Sequence, residues 1–165
     1  MLNLIKILIL FIFFINNVSA ENFSLKKIAS LSKPWGLSFI NDNEIIISEK
    51  TGKIKIVNIT NGQIKEVKHN LNYKNVGQGG LLDIVYKDKY VWIAYTEEVK
   101  KREYTTSIAK GKFSSKKIKF KNIFRAKPEE ITTEFHFGSR LVINNEHLFA
   151  SIGERGLGKL VQDPT

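Results

Sequence analysis

Two phrases place proton-handling side chains where turn residues meet apolar runs: Phe135-His-Phe-Gly-Ser-Arg-Leu-Val142 and Ser151-Ile-Gly-Glu-Arg-Gly156. His136 stands just ahead of one β-type run, and Glu154-Arg155 stands just behind the next, with Asn144-Asn145 as the turn between them. Antiparallel strands joined by a short turn bring those two outer points side by side. A neutral imidazole takes a proton from a substrate hydroxyl, and a carboxylate on its other nitrogen fixes the tautomer and stabilises the charge that develops. The same pair also serves as hydrogen-bonded scaffold in many proteins, and the residues by themselves leave both readings open.

A second candidate is Gln78, in Gly77-Gln-Gly-Gly80. Glycines let backbone approach a ligand closely, and the amide both donates and accepts hydrogen bonds. A plain glycine-rich turn is the competing account. The loop has neither the lysine nor the following helix of a nucleotide phosphate cradle. No histidine and carboxylate set has metal-ligand spacing, His69 and His147 suit surface or packing roles, and the Gly-x-Ser-x-Gly of a hydrolase elbow is missing.

The elements that must position these residues are strands. Glu44-Ile-Ile-Ile-Ser48, Lys53-Ile-Lys-Ile-Val-Asn-Ile59 and Gln63-Ile-Lys-Glu-Val67 are separated by Thr51-Gly52 and Asn61-Gly62. Asn-Gly between alternating runs predicts a type I′ hairpin, whose central residues both need positive φ. The order of glycine, strand, polar turn and strand recurs from Gly36, Gly80 and Gly138. Repeats of roughly 40 to 50 residues with four strands each are the signature of propeller blades. The expected fold is therefore all-β, a propeller of four-stranded antiparallel blades. About two and a half blades are expected here, with Trp35 in the core or in a blade seam. Propellers close with about four to eight blades, so the chain reads as the front part of a longer protein.

Composition adds a compartment. Residues 1–20 carry Lys6, an apolar stretch from Ile7 to Ile15, and small residues at Val18-Ser19-Ala20. That pattern predicts a secretory signal cleaved after Ala20, leaving 21–165 as one domain without a transmembrane helix. An uncleaved anchor is the alternative, opposed by a run shorter than the roughly 20 residues a bilayer demands. The chain has no cysteine, which excludes disulfides, thiolate metal sites and cysteine nucleophiles. Its net charge of +10 is concentrated between Lys100 and Lys127, where 11 basic residues meet one acid. Alternation in Lys116-Lys-Ile-Lys-Phe-Lys121 reads as a strand with one wet face; anion binding is the other account, and nucleic acid is not an expected partner of an exported protein.

In chain order, Pro34-Trp35-Gly36, Ser48-Glu-Lys-Thr-Gly-Lys-Ile54, Gly77-Gln-Gly-Gly-Leu-Leu-Asp83, Thr105-Thr-Ser-Ile-Ala-Lys-Gly-Lys-Phe113, His136-Phe-Gly-Ser-Arg-Leu141, Ile152-Gly-Glu-Arg-Gly156 and Gln162-Asp163 resemble the glucose/sorbosone dehydrogenase family of soluble quinoprotein aldose sugar dehydrogenases. The resemblance spans nearly all of 21–165. It implies a six-bladed propeller that holds pyrroloquinoline quinone (PQQ) over its axis with calcium beneath. It also implies oxidation of an aldose at the anomeric carbon to a lactone, with electrons passed to an external acceptor, in the periplasm or outside the cell. By this resemblance His136 is the general base, Glu154 orients it, and Gln78 and Arg155 contact the cofactor. The calcium ligands are expected beyond residue 165, so this polypeptide alone is expected to hold PQQ and calcium poorly and to be inactive. The family usually has aspartate where this chain has Glu154, which places the carboxylate one methylene farther out. The alternative function is a non-catalytic exported propeller that binds a partner or glycan, with His136 and Glu154 as scaffold.

Overall fold

The computed structural model describes residues 23–126 and 132–158; the expected signal segment 1–20 and the Gln162-Asp163 phrase lie outside them. Three sheets follow one another along the chain. The first contains β1 (Pro34–Asn41), β2 (Glu44–Glu49), β3 (Lys53–Asn58) and β4 (Ile64–His69). The second contains β5 (Leu81–Lys87), β6 (Tyr90–Lys100), β7 (Glu103–Lys112) and, after the short β8 (Lys117–Ile118), β9 (Phe120–Arg125). The third pairs β10 (Gly138–Asn144) with β11 (His147–Ile152). The first strands β1, β5 and β10 lie side by side, as the innermost strands of successive propeller blades do.

The middle sheet is buried on both faces, and its alternation shows why. Leu81 and Ile93 point into one seam with Ile46, Ile54 and Val67 of the first blade. Their neighbours Leu82 and Ala94 point into the other with Phe137 and Leu141 of the third. Strand side chains alternate faces, so two apolar sets of opposite parity stack one sheet between two others. Each fully buried isoleucine or leucine contributes about 1.5 to 3 kcal/mol. Asp83 pins the second seam: its buried carboxylate accepts the Leu141 N–H at 2.8 Å and lies 3.5 Å from the Arg140 guanidinium.

Three local expectations are corrected. Trp35 is not a core residue: at the start of β1 it is 47% exposed. Asn61-Gly62 is not a two-residue type I′ turn. Only Gly62 has positive φ there, and the loop is built on Asn58, whose side-chain oxygen accepts the N–H groups of Thr60 and Asn61. The two-residue turn with both φ values positive is Asp88-Lys89, at 49° and 67°, between the paired Lys87 and Tyr90. The basic run 116–121 keeps its alternation, with Ile118 and Phe120 buried and Lys117, Lys119 and Lys121 exposed. It is divided, however, between blades: β8 pairs in parallel with β4 of the first blade, and β9 forms the outer strand of the second.

That outer strand is fastened by Glu97 on β6, which accepts from Arg125 through both carboxylate oxygens at 2.8 and 2.7 Å and from Ser107 at 2.6 Å. The Arg125 hydrogen bond, partly opposed by burial and helped by Ser107, holds the Glu97 carboxyl below its ordinary value of 4.5. A depressed carboxyl stabilises the fold above its unfolded pKa, and that contribution is lost as pH falls through the folded value. Glu97→Gln is therefore expected to cost about 2 kcal/mol at pH 7 and to flatten the acid limb of stability below about pH 4.5. Urea midpoints measured from pH 7 to pH 3 check both, and parallel acid limbs for the two proteins would remove Glu97 from the account.

Candidate active site

The β10–β11 hairpin carries the site at its open end. Gly138 pairs with Ile152, and just beyond that pair the chain leaves both strands with left-handed residues: His136 at φ 55°, Gly138 at 72°, Arg155 at 58° and Gly156 at 81°. Left-handed backbone at histidine and arginine is uncommon and costs energy that the surroundings must offset. These turns bring His136 Nδ1 into hydrogen-bond contact with Glu154 Oε1. Glu154 Oε2 accepts the backbone N–H of Gly156.

Burial is the largest influence on the Glu154 carboxyl and opposes its ionisation, yet the hydrogen bonds from Gly156, His136 and Leu157 and the charge of His136 together hold the group below the usual carboxylate range. An ionised Glu154 accepts and does not donate, so the imidazole proton shared between them belongs to Nδ1. The Nε2 lone pair is then the basic site. The His136 side chain is 51% exposed, and among the described residues Nε2 has no hydrogen-bond partner.

Gln78 reaches the same place from the second blade. Its backbone N–H donates to Glu134 O at 2.7 Å, and its side-chain Oε1 accepts the His136 N–H at 2.9 Å. The glycines around it are taken up by packing between blades rather than by an open surface. A Cβ on Gly79 would meet Thr96 Oγ1 at 2.5 Å and the Phe137 ring at 2.9 Å, and one on Gly77 would collide with the Glu134 carbonyl.

Arg155, the other residue expected at the cofactor, is enclosed by the protein. The residue is 4% exposed, with Nε donating to Phe135 O at 3.0 Å, Nη1 to Tyr104 O at 2.7 Å and Nη2 to Thr133 O. Its Cζ stands 3.7 Å from the Phe137 ring centre. Burial pushes the guanidinium down to about 10, with the Glu154 charge opposing that shift. A side chain so enclosed braces the loop and offers a ligand almost no surface. The reason lies in the left-handed turn at Arg155, which sends it and Glu154 to different surroundings.

His69 Nε2 contacts Gly52 O at 2.8 Å and His147 is exposed at the far end of β11, so neither joins the site. Sequence reasoning missed Asp83 and Thr106. Thr106 donates to Phe137 O at 2.7 Å and so fixes the residue after the histidine from β7. Their signal, polar residues inside apolar strands at Leu81-Leu82-Asp83 and Thr105-Thr106-Ser107, was present.

Meandering blades around a common axis, with a histidine and a carboxylate at the mouth of the third, define a β-propeller with a hydrogen-bonded histidine–carboxylate pair at one end. The chain belongs to the Glucose / Sorbosone dehydrogenase family, whose model matches residues 31–165. It is similar to the soluble aldose sugar dehydrogenase from Escherichia coli, at 29% identity and a TM-score of 0.73, covering 81% of this chain and 41% of that one. The PQQ-bound aldose sugar dehydrogenase from Streptomyces coelicolor shares the fold at a TM-score of 0.74 and 24% identity, covering 86% of this chain and 44% of that one. The uncharacterized protein slr1608 from Synechocystis is 26% identical over 143 residues, 78% of this chain and 34% of the relative. The chain thus spans well under half the length of these proteins. Among the described residues no helix is long and apolar enough to cross a membrane.

Proposed function

We propose that the full-length protein oxidises aldose sugars at the anomeric carbon to lactones with PQQ as cofactor, His136 serving as general base. The observation that carries this reading is the state of His136: Nδ1 is occupied by a carboxylate held ionised, while Nε2 faces outward without a partner among the described residues. That is the arrangement a base needs to take the proton of a hemiacetal hydroxyl. As the proton moves to Nε2, negative charge develops on the oxygen, the carbon–oxygen double bond forms, and the anomeric hydrogen leaves with its electron pair. Glu154 stabilises the imidazolium that results.

The exposed amide of Gln78 suits the polar rim of a planar tricarboxylate quinone, and Gln78 is the residue proposed to contact it. PQQ, when bound, supplies the electrophilic carbonyl that accepts the hydride. Electrons then pass to an external acceptor. Among the described residues no group of three or more histidines and carboxylates stands ready for a metal, and calcium takes no part in the steps derived for this chain. The proposed location is the periplasm or the cell exterior, on the leader pattern of residues 1–20.

Titrating the full-length polypeptide with PQQ, followed by quinone absorbance and by turnover on a panel of aldoses, tests the reading. Saturable absorbance changes with aldose-dependent turnover are expected; no absorbance change would replace the enzyme with a binding propeller. Gln78→Ala is expected to weaken PQQ about tenfold and to shift the urea midpoint little. An unchanged titration would take Gln78 off the cofactor's rim.

A further inference from the structure

The geometry points to Arg155 as a positioning residue that sets the place of His136 for the proposed reaction, tying the histidine turn of the third blade to Tyr104 of the second. The inference rests on the base reading of His136 but concerns a side chain that is itself enclosed by protein.

The bonds of Arg155 surround the histidine on both sides. Its guanidinium donates to Thr133 O and Phe135 O before His136 and lies over the Phe137 ring after it. Thr133 Oγ1 returns a bond to Arg155 O at 2.6 Å. Its chain neighbour Glu154 holds the imidazole itself. One residue therefore fixes both the backbone that carries His136 and the carboxylate that orients its ring. The third donor direction, to Tyr104 O at 2.7 Å, anchors the unit in the apolar seam between blades. A planar fork with five N–H groups can satisfy three carbonyls at different bearings while stacking on a ring. Lysine, a point charge on a flexible stem, cannot. Burial of this cation, which holds it down to about 10, shows the energetic cost that these bonds offset.

A base must stand within hydrogen-bond reach of its proton, and a misplacement of about 1 Å costs on the order of 10²-fold. In the full-length enzyme Arg155→Lys is expected to lower kcat about 10- to 100-fold with KM changed less than about threefold. It is also expected to move the 13Cε1 resonance of His136, assigned by its loss in His136→Ala, and to speed amide exchange across residues 133–137 at least about tenfold. Should Arg155→Lys fail to fold, Phe137→Leu removes the stacked ring and keeps the carbonyl bonds; a smaller displacement of the His136 resonance in the same direction is expected. An unmoved resonance with unchanged loop exchange, in whichever variant folds, overturns the positioning role. So does a moved resonance with unchanged kcat. Because the resonance and the exchange do not depend on turnover, failure of the base reading is separate: it would appear as wild-type turnover in His136→Ala.

Discussion

Replacing His136 by alanine is expected to lower turnover by about 10²- to 10⁴-fold, with PQQ affinity retained within about threefold. The half-exposed imidazole has one nitrogen committed to Glu154 and one without a partner among the described residues, so its removal deletes the proposed proton acceptor and leaves the cofactor's proposed contact at Gln78 in place. The backbone N–H that Gln78 receives belongs to residue 136 whatever its side chain, although alanine tolerates the left-handed φ of 55° less readily. His136→Asn, which keeps a polar side chain suited to left-handed backbone, separates the two effects. If asparagine is as slow as alanine, the loss is chemical. Steady-state kinetics beside a quinone titration decide it, and wild-type turnover in either variant ends the base assignment.

How much of this was legible beforehand depended on how local each determinant is. Alternation and glycine spacing foretold strands and blades, because pleat period and turn chemistry act within a few residues. The meeting of His136 with Glu154 was legible for the same reason: a single hairpin joins them, its tip at Asn145-Glu146, one residue on from the expected Asn144-Asn145. Determinants that act across blades were not. The two-residue β8 is chosen by the edge of β4, some 50 residues earlier, and alternation tells which face is wet without telling which strand is the partner. Arg155 illustrates a second limit. The resemblance suggested a cofactor contact for it, and nothing local in the sequence foretold the left-handed turn that directs its guanidinium to three carbonyls from two blades. Gln78 was legible as a candidate, yet its bond to the histidine backbone emerges only when the second and third blades dock.

Within the third blade's own hairpin, Gly153 is the position where one added methyl should do the most harm. A Cβ there would collide with the His136 carbonyl and approach Gly138 N to 3.0 Å. Both obstacles are backbone, so no rotamer change relieves them, and the strand ends must part. Overpacking typically costs about 1 to 3 kcal/mol, and a backbone obstacle places Gly153→Ala near the upper end of that range. Separating the strand ends also separates His136 from Glu154, so turnover is expected to fall at least tenfold further than the loss of stability explains. Gly158 supplies the control, since a Cβ there meets nothing within 4 Å among the described residues. Gly158→Ala should leave both the urea midpoint and turnover near wild type. Equal behaviour of the two alanine variants would mean that the hairpin's open end can spread without disturbing the acid–base pair, and the tight crossing of His136 over Gly153 would lose its place in the argument.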